Sequence, residues 1–384
     1  MTAKQAPKRT KATKAKTNLK SSKISKKQLK SQKKMSRKPL LTIGLPLLVV
    51  VVAIFAYLGY TVRHEHNERG QFSVSDVYVG DNPARSLDLK VAARAKYPSS
   101  PITIDRDLGT SDGLHNQLFK YAVKSDNLEE YGLMITPTTP RPANGYPVVV
   151  ILHGYVYPSR YKTMTGYVSD MEFYAKKGFL VLKPDLRGQG YSIDQGFADS
   201  AYYSMAYNTD VMSLISALRQ TNYVDKSNIN LWGHSMGAYI ALRAAVLSPY
   251  IKSAILLSGP VDSLPEMYLT YIPPSDENNP YALSTRINTF AKYGTPADDR
   301  TFWSDASPIN SVAKIKATIQ IHAGTADAVV PVRFSQDLNL ALQKSHTKHQ
   351  TYIYRGGSHA LADERPQIYQ RSLDIMMPKS TTPS

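Results

Sequence analysis

Between residues 148 and 354 six short apolar runs recur: "VVVIL" (148–152), "FLVLK" (179–183), "INLW" (229–232), "SAILLS" (253–258), "ATIQIH" (317–322) and "QTYIY" (350–354). Most lack the polar-apolar alternation of a half-exposed strand, so they read as strands covered on both faces. The segments between them, "MEFYAKKG", "DVMSLISALRQT", "GAYIALRAAVLS", "PVRFSQDLNLALQKS" and "PQIYQRSLDIMM", space their apolar residues at helical intervals. Strand and helix in alternation predict an α/β domain with a mostly parallel central sheet and helices on both faces.

Ahead of this pattern, two strand-like runs flank Ser125-Asp126-Asn127 and a proline-rich turn follows, which predicts an antiparallel hairpin opening the domain. The domain is expected to run from residue 116 to 384, with residues 61–115 as a polar stalk before it. Residues 260–312 break the alternation with a stretch rich in Tyr, Pro and Asn, and an insertion of that length between two strands predicts a lid.

Charge changes the picture at the N-terminus only. The formal net charge is +17, yet residues 1–40 hold 15 of the 47 Lys and Arg and none of the Asp and Glu, leaving 32 cations against 30 carboxylates in the rest. The basicity therefore belongs to a tail, residues 1–39, with almost nothing to bury and an expected disordered state. Residues 40–60, "LLTIGLPLLVVVVAIFAYLGY", carry no charge, and about 20 helical residues cross a hydrocarbon core roughly 30 Å thick. The expectation is a single transmembrane helix, an uncleaved signal anchor, with the basic tail cytoplasmic and the domain outside. The membrane is thus an expected partner and nucleic acid is not. There is no cysteine, which excludes disulfides and thiolate metal sites.

The candidate chemistry lies in "WGHSMGA", where Ser235 follows the run "INLW" and precedes the helix "GAYIALRAAVL". A G-x-S-x-G between strand and helix is a nucleophile elbow: small residues flank a strained turn that presents a hydroxyl at the sheet edge. That hydroxyl needs a base, and the base needs a carboxylate to fix its tautomer. His359 stands on the Gly-rich loop after the last strand, at the same sheet end as Ser235. Asp327 ends another strand on that edge, and Asp262, after "AILLSGP", is the alternative acid. His234 adjoins the nucleophile but is expected to point away from the elbow. Backbone N–H groups of Met236 and Tyr155 are the expected oxyanion donors. Asp185 and Arg187 in "PDLRGQGYS" either bind a substrate carboxylate or pair to pin their loop. The tyrosines of "SAYYSMAYN" and "EMYLTYIPP" either line an acyl pocket or pack the lid.

Together "LHGY", "PDLRGQGYS", "WGHSMGA", "SPINSVAKIKATIQIHAGTADAVVPV" and "GGSHA" resemble the α/β-hydrolase superfamily, and within it the catalytic domain of the prolyl oligopeptidase family of serine peptidases. The resemblance covers roughly residues 118–378. It implies acyl transfer through a covalent acyl-enzyme on Ser235, with Asp327 and His359 as acid and base and with no metal and no cofactor. Two features depart from the family: the roughly 55 residues before the hairpin are too few for a β-propeller, and His153 stands where several relatives place an oxyanion tyrosine. The expected function is a membrane-anchored serine hydrolase acting on a small ester or peptide substrate. A non-catalytic surface-binding protein on the same fold is the alternative.

Overall fold

The computed structural model describes residues 82–156, 160–192, 205–270 and 289–377. They form a nine-stranded sheet: β1 (Thr103–Ser111), β2 (Leu114–Val123), β3 (Leu128–Pro137), β4 (Tyr146–Leu152), β5 (Leu180–Pro184), β6 (Val224–His234), β7 (Ser253–Leu257), β8 (Thr318–Gly324) and β9 (His349–Tyr354). The order across the sheet is β1-β2-β3-β5-β4-β6-β7-β8-β9. β1, β2, β3 and β5 pair antiparallel in turn, and β5, β4, β6, β7, β8 and β9 run parallel.

Burial on both faces explains why the parallel strands read as unbroken apolar runs. In β4, Val148, Val150 and Leu152 enter one core, and Val149 and Ile151 enter the other. The first core is closed by α3 (Ala206–Gln220), α4 (Met236–Leu247) and α7 (Val332–Lys344), the second by α2 (Val168–Ala175) and α8 (Arg365–Met376). The hydrophobic effect therefore fixes which side each helix covers, and with it the edge at which the connecting loops gather.

The segment expected as a stalk differs where it is described. Residues 82–102 pack against the domain through buried Leu87, Leu89 and Ile102, with α1 (Leu89–Arg94) held there. Arg243 of α4, itself fully buried, donates to the carbonyls of Ser86 at 2.7 Å and Leu87 at 3.2 Å. β1 then adds an edge strand exposed along its whole length, so no apolar pattern marks it in the sequence.

In the inserted stretch 260–312, α5 (Leu264–Thr270) and α6 (Arg300–Ala306) dock on the first core through Leu264, Met267, Tyr268 and the fully buried Trp303. Tyr268, Phe290 and Phe302 all meet the Trp303 ring edge-on. Tyr207 is likewise buried in the core. These aromatics pack; residues 271–288 of the expected lid lie outside the described residues.

The expected membrane anchor is corrected here. Among the described residues no helix is long and apolar enough to cross a membrane. The longest, α3, has 15 residues, against about 20 needed to span a bilayer. Residues 40–60, which carried that expectation, lie outside the described residues. A transmembrane helix, a membrane partner and a membrane location therefore form no part of the fold class or the function given below.

Candidate active site

Ser235 sits between β6 and α4 with φ 53° and ψ −120°, a conformation that an L-residue adopts only under strain. Its N–H donates to the carbonyl of Leu257 on the neighbouring β7 at 2.8 Å, which ties the turn to the sheet. The flanking glycines are required by contact. A Cβ on Gly233 would lie 2.3 Å from the Gly237 carbonyl oxygen, and one on Gly237 would lie 2.0 Å from the carbonyl oxygen of Leu152 at the end of β4. The strand-to-helix turn is thus pressed against β4 with no room for side chains. Met236 is the first residue of α4, whose N–H is among those the helix itself leaves unpaired.

The loop after β4 lies directly beside this turn. A Cβ on Gly154 would come 3.3 Å from the Ser235 Cβ. The Gly154 N–H donates to the Tyr167 hydroxyl at 3.0 Å, and its carbonyl faces His153 Nδ1 at 2.8 Å. Burial pushes the His153 pKa down to about 4, so the ring is neutral and Nδ1 donates to Gly154. Tyr155 follows on the same loop and is exposed.

His359, on the loop after β9, has its Nδ1 2.8 Å from Oδ2 of Asp327, on the loop after β8. The other Asp327 oxygen accepts from the N–H groups of Val329 at 2.8 Å and Val330 at 2.9 Å. Burial alone would raise the Asp327 pKa, but the His359 bond and these two backbone donors outweigh it and hold the carboxyl below its ordinary value. An ionised, hydrogen-bonded carboxylate fixes the tautomer of its imidazole and leaves Nε2 to face outward. The His234 ring, next in the chain to Ser235, lies 4.9 Å from that of His359.

Asp262 stands apart from His359. It faces Arg333, 3.9 Å away, and burial with the nearby Asp337 pushes its pKa up to about 6. The readings of Asp185 and Arg187 are also revised, since the two do not pair with each other. Arg187 is buried against Asp210 of α3 and Asp126, the latter at 2.6 Å. Asp185 accepts from the hydroxyls of Thr163 at 2.6 Å and Tyr161 at 3.1 Å and from the Tyr191 N–H at 2.9 Å. Both residues are saturated by the protein, which leaves neither for a substrate carboxylate.

The model of the prolyl oligopeptidase family matches residues 166–376, more than half of the chain. The chain belongs to that family. It is 23% identical over 254 residues to the acylamino-acid-releasing enzyme of Rattus norvegicus, a match covering 63% of this chain and 32% of that protein. It therefore spans about a third of the length of these relatives. It is 24% identical over 270 residues to the uncharacterized peptidase YtmA of Bacillus subtilis, covering 70% of this chain and 95% of that one. Among solved structures, acetyl xylan esterase from Paenibacillus sp. R4 superposes with a TM-score of 0.56 at 18% identity, over 79% of this chain and 98% of that one. Pyrococcus horikoshii acylaminoacyl peptidase gives 0.55 at 18% identity, over 71% and 43%. At these identities the superpositions establish the α/β-hydrolase fold alone. Family and fold together are those of serine hydrolases.

Tyr167 has no counterpart in the expectations from sequence. It precedes α2 with φ 58°, and its hydroxyl lies 2.7 Å from His234 Nδ1. The only local sign is a Gly-Tyr pair, Gly166-Tyr167, before a helical run, both residues at positive φ. His234, expected to point away from the elbow, faces the His359 loop: its Nε2 lies 2.9 Å from the carbonyl oxygen of His359.

Proposed function

We propose that this chain cleaves ester or amide bonds of small substrates through an acyl-enzyme on Ser235. The observation that carries the reading is the hydrogen-bonded Asp327–His359 pair on the loops after β8 and β9, at the sheet edge where the strained Ser235 turn projects. Ser235 Oγ attacks the substrate carbonyl carbon as its proton passes to His359 Nε2. Asp327, below its ordinary pKa, stabilises the imidazolium that forms. The N–H groups of Met236 and Tyr155 receive the oxyanion, one from the start of α4 and one from the loop after β4. Collapse expels an alcohol or amine, which takes the proton from His359. Water then repeats the sequence and frees Ser235.

Esters and amides enter by the same steps, and the relatives by name include both acylamino-acid-releasing enzymes and acetyl xylan esterases. The test is labelling of the full chain with a fluorophosphonate, beside Ser235→Ala. Labelling of wild type and none of the variant supports the reading. A folded wild type that stays unlabelled, or a variant labelled as fast as wild type, overturns it. Turnover of paired acyl ester and acyl amide substrates then ranks the two bond types.

A further inference from the structure

Four groups between the loop after β4 and the loop after β9 form one continuous chain. The Gly154 N–H reaches Tyr167 Oη at 3.0 Å, Tyr167 Oη reaches His234 Nδ1 at 2.7 Å, and His234 Nε2 reaches the carbonyl oxygen of His359 at 2.9 Å. Burial, together with the neighbouring His359 and Arg365, pushes the His234 pKa down to about 4, so the ring is neutral and carries one N–H. A carbonyl only accepts, so that hydrogen is on Nε2 and points at His359. Nδ1 is then an acceptor, the Tyr167 hydroxyl must donate to it, and the phenol oxygen is left to accept from Gly154. Every donor meets an acceptor in one direction only.

The backbone is strained to build this chain. Tyr167 has φ 58° at the start of α2, directly after Gly166 at φ 67°, and its side chain caps nothing in the helix. The Tyr167 ring is steadied edge-on by Trp232, two residues before His234 on the same face of β6. The unit it holds also matters: the Gly154 carbonyl and the Tyr155 N–H share one peptide plane. His153 fixes that plane from the carbonyl side at 2.8 Å, and Tyr167 fixes Gly154 from its own N–H.

We propose that Tyr167 and His234 are positioning residues that lock the oxyanion loop and the His359 loop into one mutual register, so that the Tyr155 N–H and the His359 ring meet the Ser235 adduct together. The inference rests on the roles given above to Ser235, His359 and Tyr155. Misplacement of either loop would slow formation of the adduct more than it weakens encounter with the substrate, because Tyr167 and His234 act through the Gly154 N–H and the His359 carbonyl.

The test measures fluorophosphonate labelling of the full chain at saturation, separating the maximal rate from the half-saturating concentration, for Tyr167→Phe, His234→Gln and the double variant. Glutamine keeps an amide donor near the Nε2 position but removes the acceptor nitrogen at the Nδ1 position that Tyr167 meets, so both single variants break the same link. The expected result is a maximal rate roughly 10- to 100-fold lower in each single variant, with half-saturation and melting temperature near wild type. The double variant should be no slower than the worse single one, as one shared link requires. Wild-type rates in both folded single variants would overturn the proposal, as would losses that multiply in the double variant. Failure of the parent reading looks different, because wild type itself then stays unlabelled.

Discussion

His359 Nδ1 and Asp327 Oδ2 lie 2.8 Å apart, while Asp262, on the loop after the adjacent strand β7, turns to Arg333 instead. Two carboxylates lie on loops that follow neighbouring strands, and Asp327 is the one that meets the imidazole. Asp327→Asn should therefore lower the maximal rate by roughly 10³- to 10⁴-fold through the wrong imidazole tautomer. Asp262→Asn should stay within about tenfold of wild type. Steady-state kinetics on one ester substrate compares the two, and equal losses would move the acid assignment.

The elbow glycines make a second prediction on stability rather than chemistry. In Gly237→Ala the new methyl meets the Leu152 backbone carbonyl at 2.0 Å, and neither β4 nor α4 can retreat without opening the core. Unfolding free energy should fall by about 3 kcal/mol or more, read by urea denaturation. A variant as stable as wild type would show that the turn relaxes freely.

How far the sequence discloses these features follows from where each signal is stored. The parallel strands are legible because both faces are buried, so residues such as Val148 to Leu152 are apolar without interruption. The Ser235 turn is legible because its requirements are local, two glycines and a hydroxyl within five residues. β1 is not, since exposure of every residue removes any pattern. Arg187 and Asp185 suggest a pair by their adjacency, whereas the partners of Arg187 come from residues 126 and 210. Tyr167 is the extreme case: its partners Gly154 and His234, with the His359 carbonyl beyond His234, converge only in the fold, and "TGYVSD" offers no more than a Gly-Tyr pair before a helical run.

Arg187 supports the loop after β5 from inside a carboxylate cluster. Its Nε donates to both Asp210 oxygens, at 3.0 and 3.1 Å, and Nη1 lies 2.6 Å from Asp126. Burial, with the charge of Asp210, holds the nearby Glu130 carboxyl well above its ordinary pKa. Arg187→Met leaves Asp210 buried without its cation and should cost about 3–5 kcal/mol in urea unfolding. Arg187→Met combined with Asp210→Asn should recover part of that loss, because the orphaned charge is then gone. A double variant worse than the single one by the full cost of Asp210→Asn would argue that the two residues act independently.

His322 allows a pH prediction outside the reacting groups. It lies in β8 with Nε2 2.9 Å from Gln320 Oε1 and Nδ1 2.9 Å from the Tyr354 hydroxyl. Burial, assisted by Arg371 and Arg365, pushes its pKa down to about 3. The unfolded chain protonates this histidine near its ordinary value of about 6.5. Between those two values the unfolded state holds the extra proton, so stability contributed by the neutral ring falls as pH falls. Other buried groups titrate in the same range, and a difference between two proteins isolates this one. In His322→Gln the titrating group is absent, so its deficit against wild type at pH 7 should shrink steadily as urea midpoints are taken down to pH 4. A deficit that stays constant over that range would mean that His322 takes up its proton equally in the folded and unfolded chains.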